Sequence, residues 1–108
     1  MDPARPIASL DELFAALAGD LADVTIEKVG EAKEYRRADH AFAALAERSA
    51  EFALDPEVAE AAARTPDAGP SQRGGGWVHL EARQLGPHTL DRARAWFLSA
   101  WRAAGKRR

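Results

Sequence analysis

Four residues in the C-terminal third have side chains that could do chemistry together: Arg73, Trp77, His79 and Glu81. The run Trp77-Val78-His79-Leu80-Glu81-Ala82 alternates with period two. On a strand, Trp77, His79 and Glu81 share one face, while Val78, Leu80 and Ala82 share the other. An aromatic ring, an imidazole and a carboxylate on one face, with Gln72 and Arg73 just before them, could line a polar pocket for a small ligand or perform acid–base work. The same pattern fits the plain outer face of a sheet strand, and that reading is the simpler one. The Arg73-Gly74-Gly75-Gly76 run could form an anion nest of successive backbone N–H groups. It precedes a strand rather than a helix and lacks the Lys-Ser/Thr of a phosphate loop, so a turn that delivers Trp77 into the sheet fits it better.

Other chemistries find less material. His40, His79 and His88 are scattered without a His-x-x-x-His pair, so no metal is expected. There is no cysteine, which rules out disulfides and thiol catalysis, and no serine sits in a nucleophile elbow. No catalytic residue and no cofactor are therefore assigned, and a binding domain is favoured over an enzyme. From Arg83 onward, Arg83, Arg92, Arg94, Arg102, Lys106, Arg107 and Arg108 face the single acid Asp91. The simpler reading is that Arg102 and the basic tail complement the negative end of a closing helix. The alternative is an anionic partner, a nucleic acid held by Arg36, Arg37, Arg102, Lys106, Arg107 and Arg108. A formal net charge of -2 argues against avid non-specific nucleic-acid binding.

The elements that must position these residues can be read in order. Residues 1–8 form a loose, proline-punctuated lead-in. Ser9 and Glu12 form a capping box, Ile7 and Leu13 a candidate staple, and Leu10, Leu13, Phe14, Leu17 and Leu21 keep the spacing of one buried helix face. A meander of three or four short strands is expected over Val24–Val29, residues 33–37 around Tyr35, residues 41–46 and residues 49–54. The third of these is also a good helix former by propensity, and its strand flanks decide for strand. Asp55-Pro56-Glu57 starts a short helix with Val58, Ala61 and Ala62 as its apolar face, and Pro66 stops it. Residues 65–76 read as a loop. After the strand of Trp77, Gly86-Pro87 is a break, and Thr89 caps a helix whose buried stripe is Leu90, Ala93, Phe97, Ala100, Trp101 and Ala104. Trp96 widens that stripe, so one of these two tryptophans is core and the other covers the sheet edge or serves a dimer contact.

These elements predict one α+β domain over residues 1–108, ending in a basic tail at 105–108. Its antiparallel sheet has about four to five short strands with helices on one face, in the order α-β-β-β-α-β-α. Apolar residues at 46% and charged residues at 30% fit a globular chain. No apolar run approaches the roughly 18 to 20 residues of a membrane span, and the N-terminus has no signal-peptide core, so a cytoplasmic protein is expected.

The run EFALDPEVAEAAARTP, then the glycine loop, GGGWVHLEA and DRARAWFLSAWRAA, resembles two groups of small bacterial proteins. One is the MmcQ/YjbR-like family; the other is a luciferase-annotated small domain of unknown function. The likeness covers roughly residues 24–104 in element order. It implies the same α+β arrangement, and for the first family a DNA-binding role. The chain differs from the first in having Tyr35-Arg36-Arg37 in place of a tryptophan-glycine in the early hairpin. It differs from the second in having Arg73-Gly74-Gly75 in place of a histidine-containing approach to the strand. No catalytic residue carries over. The leading expectation is a small binding or interaction domain for a protein or small-molecule partner, with a homodimer as one form of it. The alternatives are a nucleic-acid-binding module and a small enzyme centred on Trp77, His79 and Glu81.

Overall fold

The computed structural model describes residues 9–47, 49–81 and 86–106. Helix α1 (Leu10–Asp20) begins as its capping box predicts, with the Ser9 hydroxyl accepting from the Glu12 N–H at 3.1 Å. Four strands follow: β1 (Val24–Val29), β2 (Ala32–Arg37), β3 (His40–Leu45) and β4 (Ser49–Ala53). Helix α2 (Pro56–Ala63), β5 (Ala68–Pro70), β6 (Trp77–Glu81) and α3 (Pro87–Lys106) complete the chain. All pairings are antiparallel, and the sheet order is β1-β2-β3-β4-β6-β5.

The α+β class and the antiparallel sheet stand as expected, but the sheet has six strands and four of them precede α2. The strand hidden from the sequence is β5, which lies inside the expected loop. Its three residues, Ala68-Gly69-Pro70, are too few for any periodicity and carry two turn-forming residues. It pairs with β6 through Ala68–Leu80, Gly69–His79 and Pro70–Val78.

Helices α1 and α3 cover one face of the sheet. Ile26, Tyr35, Ala43, Phe52, Val78 and Pro70 form a continuous cross-strand row on that face. Phe14 of α1 and Phe97 of α3 meet it edge-on, with Phe14–Tyr35 centroids at 5.3 Å and Phe97–Tyr35 at 5.5 Å. A bulge at Tyr35/Arg36 leaves Phe42 as the extra residue of β3. That residue turns into the core and packs against Phe97 at 5.1 Å.

Three local expectations are corrected. Helix α3 starts at Pro87, with the Gly86 carbonyl accepting from the Leu90 N–H, so Thr89 is a buried residue of the first turn and not the cap. Trp96 is the more buried tryptophan, at 9% exposure, whereas Trp101 is half-buried. The buried face of α2 is Ala59 and Ala62, and Val58 and Ala61 point to solvent. With alanines nearly all round, that helix carries no strong signal for its inner side. Ile7 and Ala82 lie outside the described residues. Among the described residues no helix is long and apolar enough to cross a membrane.

Candidate functional site

The helix-free face of the sheet carries a second cross-strand row. Glu27, Glu34, Ala44, Glu51, His79 and Gly69 stand opposite one another in sequence across all six strands. Three carboxylates therefore share one surface, and Glu34 is only 8% exposed. Ionised carboxylates in such a place need counter-charge, or their desolvation would push them to the neutral form.

The loop between β5 and β6 supplies much of it. Its frame is set by the Ser71 N–H donating to the Trp77 carbonyl at 3.1 Å and the Trp77 N–H donating to the Gly74 carbonyl at 3.2 Å. Gly76, at φ 84°, lies so close to the main chain of β4's end that the Leu54 N–H donates to its carbonyl at 2.7 Å. A Cβ at Gly76 would sit 2.9 Å from the Leu54 carbonyl oxygen, so glycine is needed there for space as well as for backbone angle. The loop sends Arg73 across the row. Its Nη1 donates to Glu34 Oε2 at 3.0 Å and its Nε donates to Glu51 Oε1 at 2.9 Å. Between those carboxylates the row holds only the methyl group of Ala44, which leaves room for a guanidinium.

Neighbours complete the network. Arg36 Nη2 donates to Glu34 Oε1 at 3.0 Å, and Arg36 Nε forms an ion pair with Glu27 Oε2 at 3.4 Å. The Ser71 hydroxyl donates to Glu51 Oε2 and accepts from the Arg73 N–H at 3.1 Å. The Arg73 guanidinium also lies 5.1 Å from the Trp77 ring centroid. Each oxygen of Glu34 and of Glu51 thus has a donor.

The electrostatics follow. Hydrogen bonding from Arg73 holds the Glu34 carboxyl below the usual carboxylate range, with burial opposing it and Arg36 adding to it. Burial pushes Glu51 up, but hydrogen bonds from Ser71 and Arg73, with the charges of Arg73 and His79, outweigh it and leave that carboxyl lowered too. Burial pulls Arg73 down, and its bonds to Glu51 and Glu34 reverse this and raise it. Two carboxylates locked as acceptors are poorly suited to giving or taking protons near neutral pH. They suit a fixed ionic platform. Beside it Glu51, Pro70, Ser71, Gln72 and His79 line an open pocket of about 440 Å³.

Of the four residues singled out in the sequence, Arg73, Trp77 and His79 belong to this surface. Glu81 stands one pleat further along, opposite Ser49 and exposed. Glu34, Glu51, Ser71 and the role of Arg36 escape sequence reasoning. The alternation of Glu34 and Arg36 around Tyr35, and of Glu51 beside Phe52, marks them as outward-facing. Nothing in the sequence brings those strands under the loop of Arg73.

Three of the six cations assigned to a nucleic acid, Arg36, Arg37 and Lys106, have other partners. Arg36 belongs to the network above, and Arg37 stacks on Trp101 at 3.8 Å and donates to its carbonyl. Lys106 lies 3.6 Å from Asp55, and Arg102 is exposed. Arg107 and Arg108 lie outside the described residues. Neither tryptophan of α3 stands free. Trp101 Nε1 donates to the Ala22 carbonyl at 2.9 Å, and Trp96 packs on Phe52. No group of metal-ligating side chains occurs among the described residues.

No protein-family model and no curated protein sequence matches the chain. Among solved structures it is similar to a protein from Pseudomonas syringae determined as a Northeast Structural Genomics Consortium target. That likeness has a TM-score of 0.66 at 12% identity, over 90% of this chain and 99% of the other. It shows a shared fold.

Proposed function

We infer that the chain is a small, non-enzymatic binding domain that receives a polar ligand or partner side chain on the helix-free face of its sheet. The observation that carries this reading is the Arg73 guanidinium bridging Glu34 and Glu51. It fixes the charges of the face in place and removes the two carboxylates best placed for acid–base catalysis. What remains available is the pocket beside it, where the Gln72 amide and the His79 imidazole flank the bound Glu51 carboxylate. Donors and acceptors on a rigid, exposed sheet favour recognition of a polar group. A nucleic-acid module of MmcQ/YjbR type draws support from the exposed Arg102 and the basic end of the sequence. The internal engagement of Arg36 and Arg37 weighs against it.

The test is a two-dimensional NMR screen of polar fragments against the isotope-labelled protein. Amide shifts concentrated on Ser71, Gln72, His79 and Glu51 support the reading. Hits that map to the helical side, or a screen with no hit on this face, contradict it.

A further inference from the structure

We propose that β1 is an interface for a second copy of this chain, joined edge to edge about a twofold axis at Ile26. The strand lies at one end of the sheet, and among the described residues β2 is its one partner. The sheet's other end is closed off: β5 has three residues and finishes in Pro70. β1 has six residues, Val-Thr-Ile-Glu-Lys-Val, in unbroken register with β2 and without proline. Four of them are β-branched, which suits a paired strand. Ile26 and Val29 are 52% and 45% exposed, the two most exposed large apolar side chains among the described residues.

The hydrogen-bonding phase of the strand follows from its turn. Gly30 and Glu31 form a two-residue loop that closes on Val29–Ala32, which must therefore be a hydrogen-bonded pair. By alternation, Thr25, Glu27 and Val29 direct their N–H and C=O groups at β2. Those of Val24, Ile26 and Lys28 point away from the sheet, toward a partner.

Charge selects the register. A twofold centred on Glu27 sets two Glu27 carboxylates directly opposite each other, and one centred on Lys28 opposes two ammonium groups. A twofold centred on Thr25 pairs only Val24 with Ile26 among the outward groups and leaves Lys28 with no strand residue opposite, for about four main-chain bonds. Centred on Ile26, the pairs are Ile26 with Ile26, Val24 with Lys28, Thr25 with Glu27 and Asp23 with Val29, so no like charges are opposed. That register also aligns the outward groups of Val24, Ile26 and Lys28 as hydrogen-bonded pairs, for about six main-chain bonds. The twofold stands perpendicular to the sheet, so the helices of both copies share one face of a continuous twelve-stranded sheet (6 strands in each copy). Burial limited to one strand edge falls at or below the small end of stable interfaces, below about 1,200 Å² in total. The dimer is accordingly weak and concentration-dependent.

The absence of cysteine makes the test clean. Sedimentation equilibrium from micromolar to millimolar protein is expected to show a reversible monomer–dimer equilibrium. Ile26→Lys, at an exposed position, should raise the dissociation constant at least tenfold with an unchanged circular dichroism spectrum. Under oxidation Ile26→Cys should crosslink to its own copy, because hydrogen-bonded pairs lie about 5.5 Å apart at Cα, within disulfide range. Val29→Cys should not, since it faces Asp23 of the other copy. A monomer at every concentration overturns the proposal. So does a dimer that survives Ile26→Lys or that crosslinks equally through Val29→Cys.

Discussion

Arg37 lies over Trp101, its guanidinium carbon 3.8 Å from the ring centroid, while its Nη1 donates to the Trp101 carbonyl at 3.0 Å. One side chain at the end of β2 thus holds both the ring and the backbone of the last turns of α3. A cation at a helix C-terminus also complements the dipole there. Arg37→Ala should cost about 1 to 2 kcal/mol in urea unfolding, from the lost stack and hydrogen bond. Arg37→Lys should recover little, because the ammonium lacks the planar fork.

Gly105 belongs to the same contact. Alanine in place of glycine ordinarily favours a helix by about 1 kcal/mol. Here a Cβ at residue 105 would run into the Arg37 guanidinium. Gly105→Ala is expected to leave stability unchanged or lower it in the wild-type background. In an Arg37→Ala background the same substitution should become stabilising. Thermal denaturation of the four proteins reads the reversal of sign directly.

The two tight hairpins give an opposed pair. Gly30 has φ 62°, which suits glycine, but Ala38 has φ 53°, where a Cβ is strained. Gly30→Ala should destabilise by about 1 to 2 kcal/mol. Ala38→Gly relieves a similar strain but loosens the unfolded chain, so a net gain of up to about 1 kcal/mol is expected. A lower midpoint for Ala38→Gly in chemical denaturation would show that the strain in this turn is smaller than the entropy that glycine adds to the unfolded chain.

Much of the fold was legible because its signals are local. Ser9 and Glu12 announced α1, the alternation around His79 announced β6, and the spacing of Ala93, Phe97, Ala100 and Ala104 announced α3, though not its start at Pro87. The missing strand β5 and the buried side of α2 gave no signal, for short or alanine-rich segments have no periodicity to read. The site was legible by halves. Arg73, Trp77 and His79 are close in sequence and could be grouped, whereas Glu34 and Glu51 join them only through the strand order β2-β3-β4-β6. Arg36 and Arg37 show a related limit. Sequence shows a charge but not the carboxylate or ring that will occupy it.

The carboxylates of the helix-free face make stability depend on acid pH. Glu34 and Glu51 both titrate below the ordinary 4.5 when folded. The unfolded chain therefore takes up protons first as pH falls, and stability drops. Their contribution is fully present above about pH 5 and disappears as pH falls through the lowered folded values. Arg73→Gln removes donor and charge together, so it should lower stability near pH 7 and flatten the loss on the acid side. Urea midpoints between about pH 7 and pH 3 measure both effects. An unchanged acid slope would mean that Arg73 does not hold these carboxylates.

A double-mutant cycle of Arg73→Gln and Glu34→Gln, read by equilibrium unfolding, tests most directly whether Arg73 organises the helix-free face. Bonds from a guanidinium to a largely buried carboxylate predict a coupling above about 1 kcal/mol, beyond the usual worth of an exposed ion pair. Additive effects, with a coupling indistinguishable from zero, would contradict the account: the loop of Arg73 would then rest on the sheet without binding its carboxylates into one surface.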